Sequence, residues 1–261
     1  MKKLLFFGLM LLATSMQAQT ARKFTLNLTD DGKAQMVCFL PETSSGKAIV
    51  GVPGGGYSVL SNNHEGTMAS GWLNQQGIAY FVVNYRLPEG DRTKPMNDVM
   101  KGMRIVRDSA EVWGINPHDV GIMGFSAGGH LASTVATHAT GQAAPDFQIL
   151  FYPVISMEQG TTHHGSRENL LGKNPKRKLV NEYCNEQHVN KHTPRAFIAL
   201  AHDDRAVLPI NSLNYYEELY GHGVPATLHI YPTGGHGFGI LQSFTYHFEM
   251  MLELKAWLRS F

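Results

Sequence analysis

One short stretch of the sequence carries a serine in a setting that favours nucleophilic chemistry. Gly124-Phe125-Ser126-Ala127-Gly128 matches the pattern Gly-x-Ser-x-Gly. In this pattern the glycines permit a sharp turn from a strand into a helix, which lifts the serine hydroxyl above the sheet. A serine hydroxyl is a weak nucleophile at neutral pH, so acyl transfer also requires a base and a group that orients the base. We therefore expect Ser126 to be a nucleophile with partners elsewhere in the chain.

The candidate base and its orienting acid lie in two later loops. His236 follows two glycines just beyond a predicted strand, and the chain order serine, acid, histidine favours it over the other twelve of the 13 histidines. The loop after the preceding strand carries Asp203 and Asp204. Only one of them can point at the imidazole, and the other would cap the turn. Spacing alone does not choose between the two.

A triple glycine offers donors for the negative oxygen that acyl transfer creates. Gly54, Gly55 and Gly56 follow a predicted strand, where backbone N–H groups can approach a substrate. We expect Gly55, Gly56 and Ala127 to donate from their backbone N–H groups. A flexible turn and a phosphate-binding loop are the alternatives, but the sequence has neither the P-loop Lys-Ser/Thr nor the dinucleotide spacing of glycines.

Other residues near the predicted site have weaker signals. Tyr57 and Tyr152 stand at predicted strand ends and are candidates for substrate contact, although packing explains them equally well. The pair His163-His164 raises the question of a metal. No His, Cys or carboxylate cluster has convincing ligand spacing, so we expect no metal and no cofactor.

The elements that must position these residues alternate along the chain. Apolar runs interleaved with helix-like stretches predict one α/β domain over residues 19–261, with a mostly parallel sheet and helices on both faces. An antiparallel hairpin should turn at Asp30-Asp31-Gly32. Long helices are expected over residues 95–113 and 241–258. Residues 156–194 are polar and break the alternation, which predicts a cap-like insertion.

Composition and the first residues bear on location and partners. A net charge of +1 gives no reason to expect nucleic acid or a membrane surface as a partner. Residues 1–18 carry two lysines directly after Met1 and continue with a short apolar run. This pattern predicts a signal peptide removed before Gln19 and no stable membrane anchor. We expect a periplasmic or extracellular protein. There Cys38 and Cys184 either pair or stay buried as thiols.

Five motifs together resemble a known family. PGGGY, NYRLP, GFSAGGHLA, the aspartate pair before a valine, and PTGGHGFG occur in the order found in small secreted α/β-hydrolases. The sequence is most similar to acetyl xylan esterases and related hemicellulose esterases, including bifunctional acetyl and feruloyl types, over essentially all of residues 19–261. The resemblance implies an α/β-hydrolase fold, a serine esterase without a cofactor, and Asp204 as the acid. Pro53 stands where many relatives have a histidine.

Several functions compete under these observations. The resemblance implies removal of acetyl groups from xylan or xylo-oligosaccharides, with an acylated carbohydrate or another small ester as the partner. A feruloyl esterase is the nearest alternative. A peptidase of the prolyl oligopeptidase type would need a propeller for which the chain has no room, and a lipase conflicts with the polar stretch 156–194. A non-catalytic binding protein would typically lack a member of the site.

Overall fold

A computed structural model describes residues 22–261 as a sheet flanked by helices. The predicted signal peptide, residues 1–18, lies outside the described residues. The strands are β1 (Arg22–Asn27), β2 (Gln35–Leu40), β3 (Ala48–Val52), β4 (Ala79–Asn84), β5 (Val120–Phe125), β6 (Phe147–Phe151), β7 (Arg195–Ala201) and β8 (Ala226–Tyr231). The helices are α1 (Ala69–Gln75), α2 (Thr93–Asp108), α3 (Ala110–Trp113), α4 (Ala127–His138), α5 (His164–Leu171), α6 (Arg177–Glu182), α7 (Ile210–Gly221) and α8 (His247–Leu258).

The eight strands form one sheet in the order β1-β2-β4-β3-β5-β6-β7-β8. β1 pairs antiparallel with β2, and β2 pairs antiparallel with β4, whereas every pairing from β4 to β8 is parallel. The predicted mostly parallel sheet and its opening hairpin are confirmed. Because the carboxyl ends of parallel strands lie at one edge, the loops after β3, β5, β7 and β8 meet there.

Successive strand residues face two different hydrophobic cores. Val50 of β3 packs in the core that contains residues of α2, α4 and α7. Its neighbour Ile49 packs in the core that contains residues of α1 and α8. Side chains alternate across a strand, so near-continuous apolar strands require cover on both faces. Helices on both faces of the sheet are therefore confirmed.

Two predicted helices differ from the observed ones. The helix expected over residues 95–113 begins at Thr93 and is interrupted at Ser109, which leaves the helical region at φ −97° and ψ 7°. The helix expected over residues 241–258 begins only at His247. Before it, tight turns are closed by the N–H of Phe244 to the carbonyl of Leu241 and by that of His247 to the carbonyl of Phe244. In this segment the Phe244 ring stacks on that of Phe238, with 4.0 Å between the ring centroids.

The stretch 156–194 contains α5, α6 and a short 3₁₀ turn at Asn185–His188. Cys184 lies there, buried, and accepts a hydrogen bond from the N–H of Met157 at 3.3 Å. Cys38 is buried in β2, and both cysteines are free thiols. None of the helices within residues 22–261 is long and apolar enough to cross a membrane.

Candidate active site

Ser126 occupies a strained turn between β5 and α4. Its φ of 53° and ψ of −121° lie in a region that residues with a side chain rarely adopt. Three backbone hydrogen bonds of 3.1 Å fix the residue: its N–H donates to the carbonyl of Phe151, and its carbonyl accepts from the N–H groups of His130 and Val154. The surrounding structure therefore stabilises a backbone conformation that serine rarely adopts.

Glycines are required at the turn because the backbone segments approach so closely. A Cβ atom at Gly124 would lie 2.3 Å from the carbonyl oxygen of Gly128. A Cβ atom at Gly128 would lie 2.2 Å from the carbonyl oxygen of Val52. Both distances are shorter than any real Cβ contact, so the Gly-x-Ser-x-Gly pattern is explained by the crossing of α4 over β3 and β5.

His236 lies within hydrogen-bonding distance of both Ser126 and Asp204. Its Nε2 is 2.8 Å from Ser126 Oγ, and its Nδ1 is 2.7 Å from Asp204 Oδ2. The carboxylate only accepts, so Nδ1–H donates to it and Nε2 accepts from the serine hydroxyl. This arrangement can remove the proton of Ser126 Oγ while the positive charge formed on the ring is stabilised by Asp204.

The two adjacent aspartates bind different groups. Asp204 is 1% exposed, and its Oδ1 accepts from the N–H groups of Ala206 and Val207, each at 2.9 Å. These bonds leave Oδ2 facing His236. Asp203 turns the other way, and its Oδ1 accepts from the N–H of Gly235 at 2.8 Å. Asp204 thus contacts the imidazole, and Asp203 stabilises the loop that carries His236.

The triple glycine forms a tight loop beside Ser126. A Cβ atom at Gly54 would lie 3.1 Å from the Cβ of Ser126, so this glycine permits the close approach. Gly55 and Gly56 have φ values of +116° and +65°, a region open to glycine, and the N–H groups of Ser58 and Val59 close the turn on the carbonyl of Gly55. Within residues 22–261, the N–H groups of Gly55, Gly56 and Ala127 donate to no other protein group.

Tyr57 directly follows the triple glycine, and its side chain is buried, at only 2% exposed. Its hydroxyl lies 2.8 Å from His130 Nδ1, and His130 Nε2 lies 2.9 Å from the carbonyl of Tyr183. The carbonyl only accepts, so Nε2–H donates to it and Nδ1 accepts from the tyrosine. Burial lowers the pKa of His130 to about 4, which keeps the ring neutral. A direct contact of Tyr57 with substrate stays a prediction.

Tyr152 lies under His236 and connects two loops of the site. Its ring packs edge-on against the imidazole at 4.7 Å between centroids. Its hydroxyl donates to Glu65 Oε1 at 2.8 Å and accepts from the N–H of Gly239 at 2.7 Å. Burial, and next the charge of Glu65, raise the pKa of Tyr152 well above its usual value. Tyr152 is 1% exposed, and its contact with substrate also stays a prediction.

Glu65 is a buried carboxylate that the sequence did not indicate as part of the site. It is 3% exposed, on a turn after the glycine loop, and a Cβ atom at Gly54 would lie 2.4 Å from its Oε2. The contacts Glu65–Tyr152–Gly239 form a bridge from the glycine loop to the loop that carries His236. A single glutamate in a polar stretch is usually exposed, so no signal in the sequence distinguished it.

Helix α5 of the stretch 156–194 forms a wall beside the glycine loop. Asn169 Nδ2 donates to the carbonyl of Gly56 at 2.8 Å. At the start of the helix, the ring of His163 faces Gly56, where a Cβ atom would lie 3.8 Å from His163 Cε1. In the sequence, the pair His163-His164 was considered only as a possible metal site. Within residues 22–261, no group of three or more His, Cys, Asp or Glu side chains converges as a metal would require.

Two curated proteins have sequences similar to this one over most of its length. A curated acetylxylan esterase of Xylanibacter ruminicola is 59% identical over 263 residues, which is 99% of this chain and 55% of that protein. Endo-1,4-beta-xylanase B of Butyrivibrio fibrisolvens is 30% identical over 204 residues, which is 72% of this chain and 32% of that protein. The chain therefore spans about half the length of the first relative and about a third of the second.

A solved structure and a family model agree with the fold. The crystal structure of an acetyl ester-xyloside bifunctional hydrolase from Caldicellulosiruptor lactoaceticus superimposes with a TM-score of 0.81 at 36% identity, covering 87% of this chain and 88% of that chain. A family model described as an α/β hydrolase fold matches residues 49–240, which include Ser126, Asp204 and His236. The eight-stranded sheet, the turn at Ser126 and these matches lead to one assignment: the chain belongs to the α/β-hydrolase family.

Proposed function

We propose that this protein is a serine carboxylesterase that removes acetyl groups from xylan or xylo-oligosaccharides. The observation that carries the proposal is the hydrogen-bond chain Asp204–His236–Ser126, with distances of 2.7 and 2.8 Å. It lies at the carboxyl ends of three parallel strands, where ligands of open α/β sheets bind. The acetyl and xylan parts of the proposal are supported by the acetylxylan esterase at 59% identity.

Acylation begins at the serine hydroxyl. His236 Nε2 takes the proton of Ser126 Oγ as that oxygen attacks the ester carbonyl. Asp204, which accepts from Nδ1–H, holds the ring in the correct tautomer and stabilises the imidazolium. The imidazolium then gives its proton to the departing sugar oxygen, and the acetyl group stays on Ser126.

The carbonyl oxygen becomes negative in this step and needs donors. The N–H groups of Gly55, Gly56 and Ala127 lie on the loop beside Ser126 and at the start of α4, and no protein acceptor in residues 22–261 occupies them. The positive end of α4 adds to their field. Donors that are already oriented stabilise the developing charge without further reorganisation, so we assign the oxyanion to these three amides.

Deacylation repeats the same transfers with water. His236 takes a proton from a water molecule that attacks the acyl carbon, and then returns it to Ser126 Oγ as acetate leaves. The whole cycle uses side chains and amides of this chain, so the proposed mechanism includes no cofactor. We also propose that the protein is exported, as the predicted signal peptide implies.

Acetate release measures the proposed activity directly. The purified protein is incubated in parallel with acetylated and feruloylated xylo-oligosaccharides, with Ser126→Ala as the control. Acetate release that disappears in the variant supports the proposal. Release of ferulate alone would assign the feruloyl esterase alternative. No release of either acid by folded wild-type protein would contradict the proposed substrate class.

A further inference from the structure

His163 has a position that the proposed chemistry leaves unused. It precedes α5 and faces Gly56 of the glycine loop, where a Cβ atom would lie 3.8 Å from His163 Cε1. The side chain is half-buried. Burial, and next the charge of His236, lower the pKa of His163. His163 therefore lies beside the glycine loop, whose amides we assign to the oxyanion.

The protein fixes which nitrogen of the His163 ring carries the proton. The side chain caps α5, because Nδ1 accepts from the N–H of Ser166 at 3.2 Å. Ser166 Oγ also lies 2.8 Å from this nitrogen. A ring nitrogen that accepts a backbone N–H is unprotonated, so the proton of the neutral ring resides on Nε2. Nε2–H is thus an oriented donor.

This donor is not used within the protein. Among residues 22–261, the hydrogen bonds of the His163 ring all involve Nδ1. The wall that carries the ring is held against the glycine loop by Asn169, whose Nδ2 donates to the carbonyl of Gly56. The position of Nε2 relative to the loop is therefore set before any ligand arrives, which lowers the entropic cost of a hydrogen bond to substrate.

We propose that His163 is a specificity-determining residue whose Nε2–H donates a hydrogen bond to an oxygen of the sugar that bears the ester. This inference rests on the proposed function. An acetyl group offers few atoms for recognition, so discrimination among acetyl esters must come from contacts with the alcohol portion. Hydroxyl and ring oxygens of a pyranose are acceptors for a neutral N–H donor, whereas the ring atoms of a nitrophenyl leaving group are carbons, and its acceptors are confined to the distant nitro group.

Two substitutions separate the donor from the helix cap. In His163→Asn, the amide oxygen lies near the place of Nδ1 and still accepts from Ser166, but no donor reaches the place of Nε2. In His163→Gln, the longer side chain presents its amide nitrogen near the place of Nε2 and loses the cap. The adjacent His164, whose side chain is 76% exposed, provides the matched control His164→Asn.

The measurement is the ratio of kcat/KM for acetylated xylotriose to kcat/KM for 4-nitrophenyl acetate. We expect His163→Asn to lower this ratio about tenfold through a higher KM for the oligosaccharide, with an unchanged Tm. His163→Gln should restore the ratio to within about threefold of wild type while lowering Tm. His164→Asn should change neither quantity.

The outcomes that overturn the inference differ from those that overturn the proposed function. If wild type hydrolyses both esters and His163→Asn keeps the wild-type ratio, His163 does not select the sugar and only this inference fails. Equal losses on both esters in the Asn and Gln variants would assign it a structural role and also overturn the inference. If wild type hydrolyses 4-nitrophenyl acetate but not the oligosaccharide, the proposed substrate fails, and this inference fails with it.

Discussion

At the scale of single residues, Asp203 and Asp204 are neighbours in sequence with different partners. Asp204 accepts from the imidazole of His236, and Asp203 accepts from the backbone of Gly235. We expect Asp204→Asn to lower kcat for 4-nitrophenyl acetate by roughly 10³- to 10⁴-fold, because an amide that donates to Nδ1 stabilises the wrong tautomer of the ring. Steady-state kinetics at pH 7 measure this loss.

The matched variant Asp203→Asn keeps an oxygen that accepts from Gly235. We expect its kcat to stay within about tenfold of wild type, because only the charge on one hydrogen bond is lost. Equal losses in the two variants would contradict the assignment of Asp204 as the residue that orients His236.

Stability should depend on pH through His130. Its folded pKa of about 4 lies below the ordinary value of 6.5, so the unfolded chain takes up a proton first as the pH falls. The contribution of the neutral His130 ring to the free energy of unfolding is complete above pH 6.5 and is lost as the pH falls from 6.5 towards 4. Between pH 7 and pH 5 the free energy of unfolding should fall by about 2 kcal/mol from this group alone.

Urea unfolding at pH 7 and pH 5 measures this effect, with His130→Gln as the comparison. The variant lacks a titrating ring at this position, so its loss of stability between the two pH values should be smaller than that of wild type by about 2 kcal/mol. The same pH dependence in both proteins would show that His130 is not the group responsible.

The sequence was informative for residues whose role demands a local pattern. Ser126 requires glycines at fixed positions, and His236 follows a glycine pair after a strand, so the sequence indicated both residues, and the structure brings them within 2.8 Å of each other. Glu65 hydrogen-bonds to Tyr152, which lies 87 residues further along the chain. Such a role leaves no spacing to detect. Spacing alone did not choose between the two aspartates, the resemblance implied Asp204, and the structure shows Asp204 at His236 and Asp203 at Gly235.

At the scale of elements, the crossing of α4 over β3 leaves no room for a side chain. A Cβ atom at Gly128 would lie 2.2 Å from the carbonyl oxygen of Val52 and 2.3 Å from that of Pro53. We expect Gly128→Ala to lower the free energy of unfolding by about 3 kcal/mol or more, because the atoms in the way belong to backbone. Chemical denaturation measures this loss.

Gly71 in α1 provides the control, since a Cβ atom there meets nothing within 4 Å. Alanine is the better helix former, so Gly71→Ala should leave stability unchanged or raise it by up to about 1 kcal/mol. A comparable loss in both variants would mean that the substitution itself, and not the crossing, causes the effect.

The bridge Glu65–Tyr152–Gly239 should couple two loops of the site. Tyr152→Phe removes the hydroxyl and leaves Glu65 Oε1 and the N–H of Gly239 without it, which should cost about 2 kcal/mol of stability. The His236 loop then loses an anchor, so we expect kcat to fall about tenfold or more. Denaturation and ester hydrolysis measure the two effects. Tyr220→Phe, at a residue 76% exposed, should change neither.

Element boundaries were harder to predict than the elements themselves. The alternation of apolar runs identified the strands of the parallel sheet, because strands buried on both faces must be apolar throughout. The interruption of the long helix at Ser109 and the start of α8 at His247 are not marked by any break in the apolar pattern of the sequence. The apolar residues after Leu241 fit the pattern of a helix although they form turns, and one of them, Phe244, stacks on Phe238.

At the scale of the whole molecule, the two cysteines are buried, free and in different parts of the chain. Burial raises the pKa of Cys38 to about 12 and that of Cys184 above its usual value, so both thiols are unreactive while folded. We expect a thiol reagent to modify neither in native protein and both in denaturant. A reductant should leave Tm unchanged, whereas a lower Tm would reveal a disulfide.

Some expectations for the whole chain stay predictions. The signal peptide predicted over residues 1–18 lies outside the described residues. The single domain over residues 19–261, with a cap-like stretch at 156–194, also stays a prediction. The fold class could be predicted because it follows from a pattern that runs through the chain. The substrate could not be predicted from patterning, because it depends on a few contacts at one edge of the sheet.

His236 is carried by the loop after β8, which is the last strand within residues 22–261 and an edge of the sheet that these residues form, with β7 as its neighbour. During synthesis Ser126 and Asp204 leave the ribosome before this histidine, because N-terminal parts of a chain emerge first. A nascent or truncated polypeptide that ends before β8 thus has the proposed nucleophile without its proposed base. Under the proposed mechanism, hydrolysis requires that the final strand has joined the sheet, so a chain whose synthesis is incomplete is inactive.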